Sequence, residues 1–561
     1  KVFGSADLKN DVKMNWLATV RKTDANHPIQ FDLQGKCKGP WAASMGEHAV
    51  SGFMPSIKMT GRVQKGALSA DGSLVTRNIR VQLPDGKMEG AAFKLSGHLT
   101  TNPPETGLAA TIEALGELSK AKATSGSTAM HIPQIRLNAT AHAKPNHPWL
   151  LDARLKLVNA DIQDRLNSVK ASNLSIDLPL RSPDAAGAKK GRLSIDAIQW
   201  QEHQMGGLKG TLQQHRKGLK LALRHRSKLF PGMNVYIKGN IDASGGLIDL
   251  EMPPFEPDAE IDLGRFDPSA AGVMAGGRLS AKGTLILGKA GAEGKALVKI
   301  NRGRLNQELK KLSLKGIDMT LQIDDVIRMK SAPKQKLRVD QLAFGNLEAQ
   351  NLDVDFQLEG ENTLFIEKAG IEWSQGKINT SAIRIVPAKE DYDVTLFCDR
   401  LNLAMVLEQL GAARADGEGT VNGRIPILWR NGRLSFDNGF LYSTPGQTGA
   451  IQLSGTQALL AGLPPGTPQH TQLDIATEAL KDYTYKWAKL NVRSENDILL
   501  LKLQFDGKPN RLLPFAYDQS LGQFKRVSGA GQADFKGISI DLNLRSPLND
   551  IINYKALLKQ Q

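Results

Sequence analysis

Cysteine is almost absent from this chain, with 2 in 561 residues, Cys37 and Cys398. They lie too far apart in sequence to staple a small fold, and neither belongs to a CxxC pair, so a small disulfide framework is excluded. Avoidance of cysteine is compatible with an oxidising compartment. Aromatic residues are also scarce, at 6%, which leaves too few for the two girdles of an outer-membrane barrel or for nucleic-acid stacking platforms. No stretch approaches the roughly 18 consecutive apolar residues of a membrane-spanning helix, and no basic-then-apolar leader opens the chain. Lys1-Val2-Phe3-Gly4-Ser5 reads as the middle of a fold, so a natural N-terminus further upstream is expected.

Catalytic patterns are missing as well. Gly288-Lys289-Ala290-Gly291-Ala292-Glu293-Gly294-Lys295-Ala296 resembles a phosphate loop, but its first glycine is out of place and Ala296 stands where a magnesium-binding Ser or Thr is needed. His203, His215 and His225 share a basic region with Arg224 and Arg226, yet no HxH or HExxH spacing puts two imidazoles on one face, so a solvated basic hairpin is expected rather than a metal site. Asp324 and Asp325 are adjacent, and on a strand they point to opposite faces. There is no GxSxG elbow. The chain is therefore read as no enzyme, without catalytic residues, metal or cofactor. A net charge of +15 points to anionic partners. Its basic residues are interleaved with acids, which argues against nucleic acid.

What the chain has in abundance is alternation. Leu352-Asp353-Val354-Asp355-Phe356-Gln357-Leu358-Glu359 and Ile538-Ser539-Ile540-Asp541-Leu542-Asn543-Leu544-Arg545 place an apolar residue at every second position. Strand side chains alternate between faces, so each segment has one oily and one wet face. Leu174, Ile176, Leu178 and Leu180 repeat the pattern, as do Ile79, Val81 and Leu83, and Ile317, Met319, Leu321 and Ile323. Between Leu314 and Ile317 the apolar phase slips across Gly316, which predicts a β-bulge. Hairpin turns are expected at Gly66-Ala67-Leu68, Asp71-Gly72, Gly191-Arg192-Leu193, Gly210-Thr211-Leu212, Gly277-Arg278-Leu279, Gly303-Arg304-Leu305 and Gly432-Arg433-Leu434. Short amphipathic helices are expected at residues 402–410, 475–483 and 548–558, capping sheet edges.

The predicted fold is mostly β: an elongated, curled, largely antiparallel sheet forming a hydrophobic groove, with a few short helices. Too few helices are expected to cover the oily face, so acyl chains are its natural filling. At roughly 13 residues per strand and turn the chain makes about 40 strands, and at ~4.8 Å each the sheet runs on the order of 200 Å. The alternatives are a structural scaffold of the cell envelope with a fully packed core, and an envelope enzyme whose cleft the sequence does not supply.

The C-terminal part carries a family resemblance. Gly419-Thr420-Val421-Asn422-Gly423-Arg424-Ile425-Pro426-Ile427, Asn431-Gly432-Arg433-Leu434-Ser435-Phe436, Phe440-Leu441-Tyr442-Ser443-Thr444-Pro445-Gly446 and Leu542-Asn543-Leu544-Arg545-Ser546-Pro547-Leu548-Asn549-Asp550 resemble the YdbH family of AsmA-like proteins. The match spans about residues 390 to 555, which divides the chain into a repeating-β segment, 1–389, and a YdbH-like segment, 390–561, continuing one groove. The resemblance implies a periplasmic protein held in the inner membrane by an N-terminal helix that this chain does not include. It implies phospholipid as cargo between inner and outer membranes, redundancy with TamB-like and YhdP-like relatives, and a small outer-membrane lipoprotein paired with the C-terminal sheet edge. The predicted groove-lining, lipid-binding set is Leu174, Ile176, Leu178, Leu219, Leu221, Leu223, Leu352, Val354, Phe356, Leu358, Leu499, Leu501, Leu503, Ile538, Ile540, Leu542 and Leu544.

Overall fold

The computed structural model describes residues 2–8, 12–22, 24, 27–37, 39–45, 48–84, 86–103, 109–144, 147–183, 188–216, 218–266, 268–288, 291–345, 347–360, 363–386, 391–410, 414–430, 433–454, 460, 464–496, 498–520, 522–528 and 532–547. Strands make up 76% of the described residues. Contacts divide it into two compact units: Lys1–Pro253 with Lys282–Glu293, and Pro254–Ala281 with Gly294–Gln561.

In the first unit the described residues contain no helix. From His48–Gln64 to Gly245–Phe255 each strand pairs antiparallel with the next, the pattern that short connections impose. The strands are long, up to 17 residues in Ala67–Leu83, and bulges interrupt them. Met54, Asn78, Lys120, Asn159 and Asn173 adopt left-handed backbone in mid-strand. The interruptions lie against one another from strand to strand. Asn159 falls in the slip between the pairs Leu157↔Ile176 and Ala160↔Leu174, and Asn173 in the slip before Ile162↔Ala171. Each slip lets the apolar phase resume on the same face, so Leu155 and Leu157 are followed by Ala160 and Ile162. A bulge leaves one backbone donor unpaired and bends its strand. Here a neighbouring side chain takes the donor: the Asn159 N–H donates to Ser175 Oγ at 3.2 Å, and the Asn173 N–H to Asp161 Oδ1 at 3.2 Å.

The second unit repeats the device. The Gly316 bulge predicted from the phase slip is present: Arg304 pairs with Lys315 and Gly303 with Ile317, leaving Gly316 extra at φ +67°. Arg302, left-handed in the facing strand, donates its N–H to Asp318 Oδ1 at 3.0 Å, and Arg400 donates its N–H to Asn422 Oδ1 at 2.9 Å. Antiparallel pairing again runs from Leu312–Asp325 through Tyr392–Asn402, and then, with shorter strands intervening in the chain, through Thr420–Arg430, Gly439–Ser443, Tyr483–Glu495, Ile498–Pro509 and Ile538–Pro547.

Besides three one-turn 3₁₀ segments, two α-helices have described bounds, α1 (Leu403–Gln409) and α2 (Pro468–Ala479). The first matches its prediction, with Asn402 capping through a hydrogen bond from the Met405 N–H at 3.0 Å. The second does not: it begins at Pro468, capped by Thr467, and ends at Ala479, while Tyr483 opens a strand. The Thr-Pro start, with a capping hydroxyl and a proline whose missing N–H costs nothing, was the signal to read. The predicted helix over 548–558 lies outside the described residues. Several predicted turns are strand interiors instead. Asp71-Gly72 lies within Ala67–Leu83, Gly210 within His203–His215, Gly277 within Met274–Gly288, and Gly303 within Gly291–Gln307. Gly210 serves close approach rather than turning, since a Cβ there would collide with the Ala222 carbonyl oxygen.

Candidate functional site

Reading the register across the first unit gives one face. Phe31, Gly61, Ala70, Leu99, Ile112 and Ala141 stand opposite one another on six neighbouring strands. Further along, Ile135, Leu157 and Ile176 form another row, and Leu137, Leu155 and Leu178 the next. Leu212 pairs with Leu221, and Leu223 with Ile237, on the same principle. These rows carry mostly aliphatic side chains and no charge; Phe31 belongs to the first, and Phe93, through Leu118, to the Ile135 row. Burial is deepest beside the bulges, where Ile79, Leu118, Ala121, Ile132, Ala160 and Leu174 form a cluster. Away from them the face is only partly covered: Ile112, Leu137 and Leu151 are 37%, 41% and 38% exposed.

The opposite face is wet and ionic. Arg136 meets Glu117 at 2.9 Å, and Arg154 forks onto Asp177 at 2.6 and 2.7 Å, a hydrogen bond that holds the Asp177 carboxyl below its ordinary value. Exposed pairs of this kind stabilise little, typically ~0–1 kcal/mol each. Their consequence is directional, because a strand register slip would bring these charges onto the oily side.

The predicted lining residues fall into two environments. Leu174, Leu178 and Leu221 are buried and Ile176, Leu219 and Leu223 half-buried on the first unit's apolar face. In the second unit Leu352 pairs with Val339, Val354 with Leu337 and Phe356 with Ile366; Val354 and Phe356 are buried, Leu352 and Leu358 half-buried. Leu499, Leu501, Leu503, Ile540, Leu542 and Leu544 are enclosed in a protein core with Tyr483, Tyr485, Phe505, Phe515 and the buried side of α1, and Ile538 packs against its edge. Burial pushes the Tyr485 phenol up to about 12. A buried ionic knot holds the cover of this core. Glu478 on α2 accepts from Lys481 at 2.8 Å, Arg511 at 2.7 Å and Arg526 at 3.2 Å, and Arg526 also reaches Asp474 at 2.6 Å.

The three histidines singled out in the sequence are not brought together: His203 pairs with Trp200, His215 with Gly218, and His225 with Leu208. His225 is not solvated as expected; it stands half-buried on the apolar side, where desolvation pushes its imidazole below the ordinary value. Among the described residues no group of His, Cys, Asp and Glu has the arrangement of a metal site. The segment that resembled a phosphate loop enters a strand at Gly291, with no helix N-terminus following it. No described helix is long and apolar enough to cross a membrane.

Long antiparallel strands, bent at bulges and presenting in the first unit a largely aliphatic face that no described helix of that unit covers, define a β protein of repeating hairpins. The chain belongs to the YdbH-like family, described as intermembrane phospholipid transport protein YdbH, whose model matches residues 6–511. That is a family of lipid transporters and not of enzymes, and the match extends far upstream of the C-terminal motifs that carried the resemblance. No curated protein and no solved structure matches the chain.

Proposed function

We propose that the chain carries phospholipid between inner and outer membranes, across the periplasm, as a bridge whose apolar β-faces form a groove holding the acyl chains while headgroups stay in water. The observation that carries this reading is the charge-free set of cross-strand rows in the first unit, partly exposed, in a unit with no described helix of its own to cover them. Each shielded methylene contributes ~0.8 kcal/mol. A chain of similar shallow rows therefore binds a tail firmly in sum while offering no single deep well, and the tail slides. Leu174, Ile176, Leu178, Leu219, Leu221, Leu223, Leu352, Val354, Phe356 and Leu358 are the proposed contacts. Acyl contact at Leu499, Leu501, Leu503, Ile538, Ile540, Leu542 or Leu544 would require the cover of the C-terminal core to move.

Strand Ile538–Pro547 pairs on one side only among the described residues, and a lipoprotein partner would add a strand to its other edge. The transport reading is tested by a photo-reactive residue at Leu137, with a second at Arg136 on the wet face as control, followed by mass spectrometry of the adducts. Phospholipid attached at Leu137 and not at Arg136 is expected. Equal capture at both positions, or none at either, overturns the reading.

A further inference from the structure

We propose that the wet face of the C-terminal strands of the second unit holds a phosphate-binding cleft, separate from any acyl path. In strand Ile498–Pro509 the side chains of Leu499, Leu501 and Leu503 enter the core, so Leu500, Lys502 and Gln504 project from the other side. On that side the register sets Asn491, Lys502 and Asn543 in one row, and Arg493, Leu500 and Arg545 in the next. Between them lies a cleft of about 810 Å³ whose lining includes Lys489, Arg493, Lys502 and Arg545 and no acidic residue.

Four cations around one cleft repel one another, and carboxylates beside it offset only part of that charge. Two have acidic neighbours outside the lining: Arg493 meets Glu495 at 3.0 Å and Lys502 meets Asp541 at 3.1 Å. Lys489 and Arg545 have no ion pair among the described residues. Phe440 forms one wall, with the Arg424 guanidinium 5.6 Å from its ring centroid; Asn491 and Asn543 add neutral polar groups to the lining, while the Asn438 side-chain amide donates to Asp437 Oδ1 at 3.0 Å. Arg493 and Arg545 stand two strands apart, about 10 Å at the strand spacing, within reach of one tetrahedral anion through their long side chains. Multiple guanidinium and ammonium donors suit a tetrahedral phosphate, which presents two unesterified oxygens and one charge as a diester, and three oxygens and more charge as a monoester. The ligand chemistry is a phosphate mono- or diester, either a phospholipid headgroup or a soluble phosphate.

The test uses the full chain, its Lys489→Ala/Arg545→Ala variant, and a control, Lys220→Ala/Lys238→Ala, which removes two exposed cations from the wet face of the first unit. Inorganic phosphate is titrated calorimetrically, and binding is measured to phosphatidylcholine vesicles with and without phosphatidylglycerol. Removing two cations is expected to weaken anion binding at least about tenfold, while the control binds as the parent does. Lys489→Arg/Arg545→Lys is expected to retain binding, which separates charge loss from misfolding. Saturable phosphate binding lost in the alanine pair supports a soluble ligand. Loss confined to phosphatidylglycerol vesicles supports a lipid headgroup. Equal loss in the control, or undiminished binding by the alanine pair in both assays, overturns the proposal. Anion binding and acyl crosslinking at Leu137 are separate readouts, so either result can fail alone.

Discussion

Replacing Leu137 with aspartate separates an open apolar face from a packed one. Leu137 stands in register with Gly116 and Leu155, and 41% of it is exposed. Full burial of a leucine contributes ~1.5–3 kcal/mol, so the three-fifths covered here is worth about 1–2 kcal/mol. An aspartate at that position keeps its water, and the folded state loses about that amount. Leu501→Asp is the comparison: at 1% exposure it strands a carboxylate in a closed core and is expected to cost about 4 kcal/mol or more. Cargo responds in the opposite order. A carboxylate on the acyl path forces a tail to leave about four methylenes in water, about 3 kcal/mol at ~0.8 kcal/mol each, which lowers occupancy about a hundredfold. Denaturant unfolding of both variants, with mass spectrometry of co-purifying phospholipid, reads the two effects. If Leu137→Asp proves as destabilising as Leu501→Asp, a second layer seals the face; if it keeps its full lipid load, the tails lie elsewhere.

Asp318→Ala removes the acceptor of the Arg302 N–H at the bulge and is expected to cost about 1 kcal/mol in urea unfolding, with Asp318→Asn restoring most of it. Burial pushes the Glu478 carboxyl up, but hydrogen bonds from Lys481 and Arg526 and the charges of Lys481 and Arg511 outweigh it and hold the group below its ordinary value. Its contribution is therefore complete above the ordinary glutamate range and lost as pH falls through the lower folded value. Glu478→Gln should flatten that acid limb of stability against pH, and an unchanged limb would refute the ionic knot. Burial pushes the Cys398 thiol up to about 12, so in a Cys37→Ser background a disulfide reagent near neutral pH should label it only at the unfolding rate. Prompt labelling of the native protein would show that this side of the second unit opens.

The strand faces were legible because alternation is a local signal: Leu352 to Leu358 and Ile538 to Leu544 alternate in the sequence and in the sheet. The Gly316 bulge was legible for the same reason, since the apolar phase slips there. The bulges at Asn159 and Asn173 left the same mark, with Leu157 followed by Ala160 and Ala171 by Leu174, and asparagine is among the residues that tolerate the left-handed region. That evidence lay in the sequence unread. Glycines at Gly210 and Gly303 were misread as turns because glycine marks close strand approach and bulges as readily as hairpins. The phosphate cleft had no sequence signature at all: its cations come from three strands, and only the register makes them neighbours.

The same alternating pattern served two ends, and the difference lies in what was brought to cover it. The largest fully enclosed side chains, among them Tyr483, Tyr485, Phe505 and Phe515, all belong to the second unit between Leu401 and Phe515. There α1, α2 and the chain around Leu513 and Phe515 supply the partner that a strand face needs, and aromatic rings with fixed geometry select it. In the first unit the residues closest to complete burial are small, Ala121 and Ala160, lying beside the bulges. The rows on either side are mostly aliphatic and shallow, and the rings among them, Phe31 and Phe93, are only half-buried. Such a surface is poorly suited to recognising a protein layer and well suited to a ligand that is itself a repeating methylene chain. Low aromatic content, first an argument about what the chain could not build, also suits an acyl path: the first unit's Phe31 and Phe93 are half-buried members of shallow rows, whereas a fully enclosed aromatic socket would be a deep well at which a sliding tail stops.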